Sequence, residues 1–224
     1  RIYKAKGRPS DNPMIVHIAR ASDIGQLTPM LSPQIVEIID NFWPGPLTLV
    51  MKAKEIIPPV TRGGLGTAAL RMPDNPVAAA LIKASGTPIA APSANLSGRP
   101  SPTDFESVFN DMDGRIEMIL DGGNADVGIE STVIDVTDPK KILMLRPGGM
   151  PREILEKTLG TCLEVPDSQS KKRSPGTRYR HYAPDIPVII YKRGEKFPDL
   201  DLRNAAYAGI NEPEFKIAKK IKKY

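Results

Sequence analysis

The chain has one cysteine, Cys162, in 224 residues. A lone thiol excludes an intramolecular disulfide framework and fits a reducing compartment. Aromatic residues are scarce, at 5%, so the core must come from Ile, Leu, Val, Ala and Met. One Cys and two His are too few for a zinc cluster. No G-x-x-x-x-G-K-[ST] loop occurs, Gly63-Gly64-Leu65-Gly66 lacks the dinucleotide spacing, and there is no G-x-S-x-G elbow. No apolar run approaches the roughly 18–20 residues of a membrane span, and a cytoplasmic setting is expected. The residues advertise neither a covalent nucleophile nor a tightly held metal.

What is present is punctuation and positive charge. Pro 23 and Gly 18 imply many turns, and 40% hydrophobic with 25% charged residues is ordinary for a globular chain. The length suits one full domain and a small second one. A net charge of +5, from 31 Lys and Arg against 26 Asp and Glu, suits an anionic partner without requiring one.

The chain is organised around residues 6–18, KGRPSDNPMIVHI. Lys6 and Arg8 sit on a short turn with Gly7 and Pro9, and the run Met14 to Ile18 carries His17. Pro9 and Pro13 push the preceding residues toward extended backbone, so a rigid basic loop feeding a buried strand is expected. Lys and Arg on such a loop suit an oligophosphate, Arg as a fork and Lys as a point charge. The plainer reading is a solvated basic turn before a core strand. RIYKAKG reads as the end of a helix, so further chain upstream is expected.

Downstream, Ser22 and Asp23 look like a helix start. Ser32 is an N-cap with Pro33 behind it, and Ile35, Ile38, Ile39 and Phe42 share one helical face. Trp43-Pro44-Gly45-Pro46 stops that helix. Strands are expected at 47–51, 67–72, 88–91, 118–120, 131–136 and 142–145. Helices are expected from Asn75-Pro76 to Gly86, from a Thr103/Glu106 capping box through Phe109, and from Pro151 to Gly160. This irregular interleaving predicts an α/β fold, a mixed twisted sheet with flanking helices. The domains expected are 1–163, a linker at 164–185 that is basic and lacks apolar period, and a partial second unit at 186–224 that starts with a strand at 188–191.

Several elements end in small polar or basic residues: Thr67 and Arg71 on one strand, Ser93 and Asn95 in PSAN, Ser131 and Thr132 after Gly128, Arg146 before Pro147-Gly148-Gly149. Strand ends in α/β sheets are where ligand crevices form, although any one Ser or Asn in such a loop is more often making turn hydrogen bonds.

KGRP with NPMIVHI, FWPGPLT, ALRMP, PIAAPSANLSGRPSPT, DGG, ESTV and LRPG together resemble, in order, the YrdC-like family of threonylcarbamoyl-AMP synthases. RYRHYAP resembles the linker of the family's long form, which carries a second, Rossmann-like domain. The resemblance covers roughly residues 1 to 190. It implies a nucleotidyltransferase that turns L-threonine, bicarbonate and ATP into threonylcarbamoyl-AMP and pyrophosphate for tRNA modification. It implies Lys6 and Arg8 as catalytic, and Lys6, Arg8, Asn12, Thr67, Ser93, Asn95, Ser101, Arg146 and Tyr182 as ATP contacts. His17, Arg71, Ser131 and Thr132 would hold threonine. Mg2+ would ride on the ATP phosphates without a dedicated metal site. The linker would act as a lid, with Tyr179 or Tyr182 on the ligand. Partners implied are ATP, threonine and bicarbonate, with tRNA or tRNA-modification proteins beyond them. The family's Pro-Thr-x-Thr-x-Tyr-Gly-like loop ahead of KGRP is not in these residues. The alternative is a non-catalytic YrdC-like module that binds double-stranded RNA or tRNA, using Lys171, Lys172 and Arg173. The Lys216–Lys223 cluster reads as a solvated helix face, with a tRNA contact as the alternative.

Overall fold

In the computed structural model, six strands form one mixed sheet in the order β4-β1-β3-β2-β5-β6. The structure describes residues 1–171, 173–175 and 189. Residues 1–185 and 186–224 form two compact units, and every element below belongs to the first. Apart from Ile189, the expected strand at 188–191 lies outside the described residues, as do the Lys216–Lys223 cluster, Tyr179 and Tyr182.

The strands are β1 (Ile15–His17), β2 (Leu47–Lys52), β3 (Thr67–Arg71), β4 (Ile89–Ala91), β5 (Thr132–Asp135) and β6 (Leu143–Arg146). β1 and β3 run parallel, as do β2 and β5, and the other neighbours are antiparallel. This topology gathers the C-terminal ends of β1, β3 and β6 and the N-terminal ends of β2 and β5 at one edge of the sheet. His17 is registered against Arg71 and Val133 against Arg146, so the three ionisable side chains end their strands at that common edge.

Alternation along each strand divides the side chains between two faces. One face packs Val16, Leu47, Leu49, Met51, Leu70 and Ile134 against α3 (Pro33–Phe42) through Ile35, Ile38, Ile39 and Phe42. α3 begins as expected: Ser32 Oγ accepts from Ile35 N at 3.3 Å, and Pro33 occupies the first turn. The other face holds a smaller apolar cluster, Val50, Ala69, Val133, Leu143 and Leu145, with Ile15 beside it.

The remaining helices are α1 (Ile2–Lys6), α2 (Ile24–Leu27), α4 (Pro59–Arg62), α5 (Pro76–Ser85), α6 (Phe105–Met112), α7 (Arg152–Leu159) and α8 (Ser168–Lys171). α1 closes on Gly7 at φ 63° and α5 on Gly86 at φ 66°, both left-handed. The helix start expected at Ser22 and Asp23 is met by a 3-10 turn, Ala21–Asp23, that leads into α2 with Asp23 at its N-cap position. Two expectations are corrected. α6 is capped by Asp104, whose carboxylate accepts from Ser107 N at 2.8 Å, in place of the Thr103/Glu106 box; a charged acceptor suits a helix N-terminus better than a hydroxyl. Residues 118–120 form no strand: Met118 is 74% and Leu120 53% exposed, and a three-residue apolar run without a neighbouring strand cannot pair. Among the described residues no helix is long and apolar enough to cross a membrane.

Candidate active site

The basic loop enters the site from α1. Arg8 N donates to Tyr3 O at 2.9 Å and Arg8 Nη2 to Pro13 O at 2.7 Å. Gly63, at φ 60°, lets the neighbouring turn press on this loop, since a Cβ there would overlap the Asp11 carbonyl. A second close approach lies across the sheet: a Cβ on Gly148 would overlap the Glu130 carbonyl and the Ser131 and Thr132 backbone. The Pro147–Gly149 turn is therefore seated on the entry to β5.

Between them is a cavity of about 230 Å³ whose lining includes Arg8, His17, Arg71, Ser93, Ser101, Ser131 and Arg146, with Glu130, Ile129, Thr103 and Pro175 also on its wall. Arg71 Nε donates to Gly45 O at 2.9 Å. Arg146 donates from Nη2 to Ser131 O at 2.8 Å and to Ser131 Oγ at 3.1 Å, and from Nη1 to Pro175 O at 3.2 Å. Ser131 Oγ also lies 2.8 Å from Thr48 Oγ1, deep in the sheet. Two polar atoms of the lining, His17 Nδ1 and Ser101 Oγ, are buried without a hydrogen-bond partner. Such orphans are costly unless a ligand meets them.

Burial and then the Arg71 charge push the His17 pKa down to about 4, opposed by hydrogen bonding to the Ile89 and Ile15 backbone. The imidazole is therefore neutral at ordinary pH. Burial, followed by the Arg146 charge, also lowers Arg71. Asp74 opposes the shift of Arg71, and clustered like charge of this kind favours an anionic ligand.

Seven of the thirteen residues proposed from sequence thus line one cavity. Five others are elsewhere, and Tyr182 lies outside the described residues. Lys6, Asn12, Asn95 and Thr132 are buried behind the lining. Lys6 Nζ donates to the Ser93 carbonyl at 2.5 Å, to the Asn95 carbonyl, and to Asn95 Oδ1 at 3.4 Å. Burial, then Arg8, lowers its pKa to about 8. It is a tie between α1 and PSAN, not a point charge facing the cavity. Asn95 Nδ2 donates to Leu96 O at 2.9 Å and Arg99 O at 2.8 Å, which clips the loop shut. Thr132 Oγ1 donates to Met150 O at 2.6 Å and accepts from Met150 N at 3.0 Å, fastening the turn after β6. Thr67 begins β3 while Arg71 ends it, so the two share a face but stand roughly 13 Å apart along the strand.

Glu130, Thr48 and Pro175 were not among the expected site residues, although each lies in or beside a segment singled out above. Residues 164–185 were expected as a linker lacking apolar period. The beginning of that stretch is packed: Ser170 and Ser174 are buried, and Arg173 is ion-paired to Asp135 at 2.7 Å. That pairing commits one of the cations on which the RNA-binding alternative relied.

A family model named for Sua5, YciO and YrdC, described as telomere recombination, matches residues 1–148. A second, described as the C-terminal domain of threonylcarbamoyl-AMP synthase, matches residues 150–221. The threonylcarbamoyl-AMP synthase of Bacillus subtilis is 50% identical over 194 residues, covering 85% of this chain and 56% of that protein. The enzyme of the same name from Pyrococcus abyssi is 48% identical, covering 85% of this chain and 57% of that one. The chain thus spans little more than half the length of these relatives. The crystal structure of P. abyssi Sua5 complexed with L-threonine superposes with a TM-score of 0.78 at 48% identity, covering 82% of this chain and 55% of that one. E. coli YciO superposes at 0.57 with 25% identity, covering 66% of this chain and 71% of that one.

Proposed function

The chain belongs to the Sua5/YciO/YrdC family of threonylcarbamoyl-AMP synthases, and we propose that it converts L-threonine, bicarbonate and ATP into L-threonylcarbamoyladenylate and pyrophosphate. The observation that carries this is the cavity: its lining holds three guanidinium groups and a neutral imidazole, and two of its buried polar atoms, Nδ1 of that imidazole and Ser101 Oγ, have no hydrogen-bond partner. No side-chain nucleophile is needed, because the substrates bring their own. The threonine amine adds to the carbon of CO2 drawn from bicarbonate and loses a proton, giving a carbamate. A carbamate oxygen then attacks the α-phosphorus, and the bond to the β-phosphate breaks with its electron pair leaving on pyrophosphate. Such a reaction asks the protein for positioning and charge neutralisation.

In this reading Arg8 and Arg146 face the phosphates, with Ser93 and Ser101 beside them. Arg71, His17 and Ser131 hold the threonine and its carbamate; a complex with L-threonine is the state of the P. abyssi relative. His17 offers a hydrogen bond without adding a fourth positive charge. Lys6 and Asn95 serve by shaping the loop that carries Ser93. Among the described residues no three His, Cys, Asp or Glu side chains group as a metal site, and Glu130 is the one acid on the wall. One carboxylate fits Mg2+ held mainly by phosphates and water; Glu130 would hold it, and the ion would neutralise phosphate charge. The product supplies threonylcarbamoyladenosine formation in tRNA, in the cytoplasm.

The test is release of pyrophosphate from ATP with the other two substrates supplied singly and together. Release only when threonine and bicarbonate are both present is expected. Release with ATP alone, or none with all three, overturns the proposal.

A further inference from the structure

Asp135 ends β5 with its side chain 2% exposed. A carboxylate so buried needs strong compensation. Oδ1 accepts from Thr137 N at 2.9 Å and from Thr137 Oγ1 at 2.6 Å. Oδ2 accepts from Arg173 Nη1 at 2.7 Å, a guanidinium brought from 38 residues downstream. The two residues that follow Arg173 are not loose. Ser174 is fully buried, and Pro175 lines the cavity and gives its carbonyl oxygen to Arg146 Nη1 at 3.2 Å.

Arg146 is thus gripped from two sides. Ser131, at the entry to β5, accepts from its Nε at 3.2 Å and from its Nη2 at 2.8 Å. Pro175 accepts from the far nitrogen, and Pro175 is held in place by the ion pair two residues away. Remove that pair and the Pro175 carbonyl is no longer fixed, so the guanidinium keeps its Ser131 hydrogen bonds while the contact that sets its outer nitrogen is loosened. A reacting phosphate is sensitive to such shifts, since misplacement of about 1 Å can cost on the order of a hundredfold in rate.

We propose that Asp135 and Arg173 are positioning residues: their ion pair anchors the Ser174–Pro175 turn to the sheet and so aims Arg146 at the substrate. This rests on the functional reading above for its kinetic consequence, but not for its structural one.

Two measurements test it. Arg173→Ala should lower kcat/KM for pyrophosphate release about tenfold, and Arg173→Lys, which restores a cation opposite Asp135, should recover most of that loss. In an Arg146→Lys background the same Arg173→Ala change should cost less than about twofold, because a residue that acts through Arg146 cannot act once Arg146 is altered. An equal loss in both backgrounds, or full activity in folded Arg173→Ala, overturns the inference. The second measurement needs no activity. Asp135→Asn keeps the shape of the side chain but removes the charge, so trypsin cleavage after Arg173, located by mass spectrometry well below the melting temperature, should accelerate several-fold. Unchanged cleavage there means that the ion pair is not the anchor. An inactive wild type counts against the functional reading alone, and the cleavage result still decides this one.

Discussion

The two faces of the sheet are made by the same six strands and differ in almost everything else. The face under α3 is apolar from Val16 to Ile134 and closes on fully buried Ile18, Ile38, Leu47 and Leu49. The opposite face carries the smaller cluster of Val50, Ala69 and Val133, flanked by His17, Arg71, Asp135 and Arg146. A strand with a period of two can serve both demands, because alternate residues never compete for one environment. Stability is concentrated on one face, which leaves the other free to hold buried charge that weakens the fold.

The comparison breaks first at the α3 face. Ile38 is fully buried, and truncating such a residue costs about 2–5 kcal/mol through lost transfer energy and the cavity left behind. Ile38→Ala should lower the urea midpoint with an unchanged slope while leaving KM for each substrate within about twofold in the molecules that remain folded, a spread small beside the tenfold that 1.4 kcal/mol represents. A KM shift as large as the stability loss would mean that the two faces are not separable.

The opposite face makes its own prediction through pH. The His17 pKa is about 4 in the fold against an ordinary 6.5, so between these values the unfolded chain binds more protons than the folded one. Stability from keeping His17 neutral is therefore fully present above about pH 6.5 and is lost as pH falls toward 4. The difference is on the order of 3 kcal/mol if the whole shift is realised. His17→Asn should flatten this acid limb relative to wild type. Parallel limbs in both proteins would show that carboxylates alone govern it.

The division between faces also explains what could be read before folding. α3 was legible because its cap, its proline and its apolar stripe all agree on one answer. The cavity was legible as a set of strand ends, and Arg8, His17, Arg71, Ser93, Ser101, Ser131 and Arg146 do meet there. What could not be read was which way a polar side chain turns. Lys6 and Arg8 are two residues apart in one motif, yet Arg8 lines the cavity and Lys6 points into a ring of carbonyls. Thr67 and Arg71 share a face, but a strand's length separates them. The packed start of the linker escaped because its partner, Asp135, lies 38 residues back, and no local pattern announces an ion pair of that span.

Asn95 gives the smallest and sharpest test of the boundary between shaping a site and lining it. As part of PSAN it reads as a nucleotide contact, and on that reading Asn95→Leu weakens ATP binding without touching the melting temperature. The hydrogen bonds of the structure support a different expectation. The residue is 4% exposed, with both amide protons spent on the carbonyls of Leu96 and Arg99 and its oxygen facing Lys6 Nζ. Leucine fills a similar volume but offers no partner, so two carbonyls and part of an ammonium lose their hydrogen bonds. Leaving such groups unmet costs about 1–3 kcal/mol, which for a chain of this size shifts the melting temperature by roughly 2–12 °C. ATP affinity should fall only as far as Ser93 is displaced. A thermal melt and an ATP titration on the same variant separate the two outcomes. A clear drop in melting temperature with ATP affinity within about threefold of wild type, or under 1 kcal/mol, places Asn95 in the frame. An unchanged melt with a large loss of ATP binding would put its side chain on the ligand, and the hydrogen bonds that now clip the loop would have to open when the nucleotide arrives.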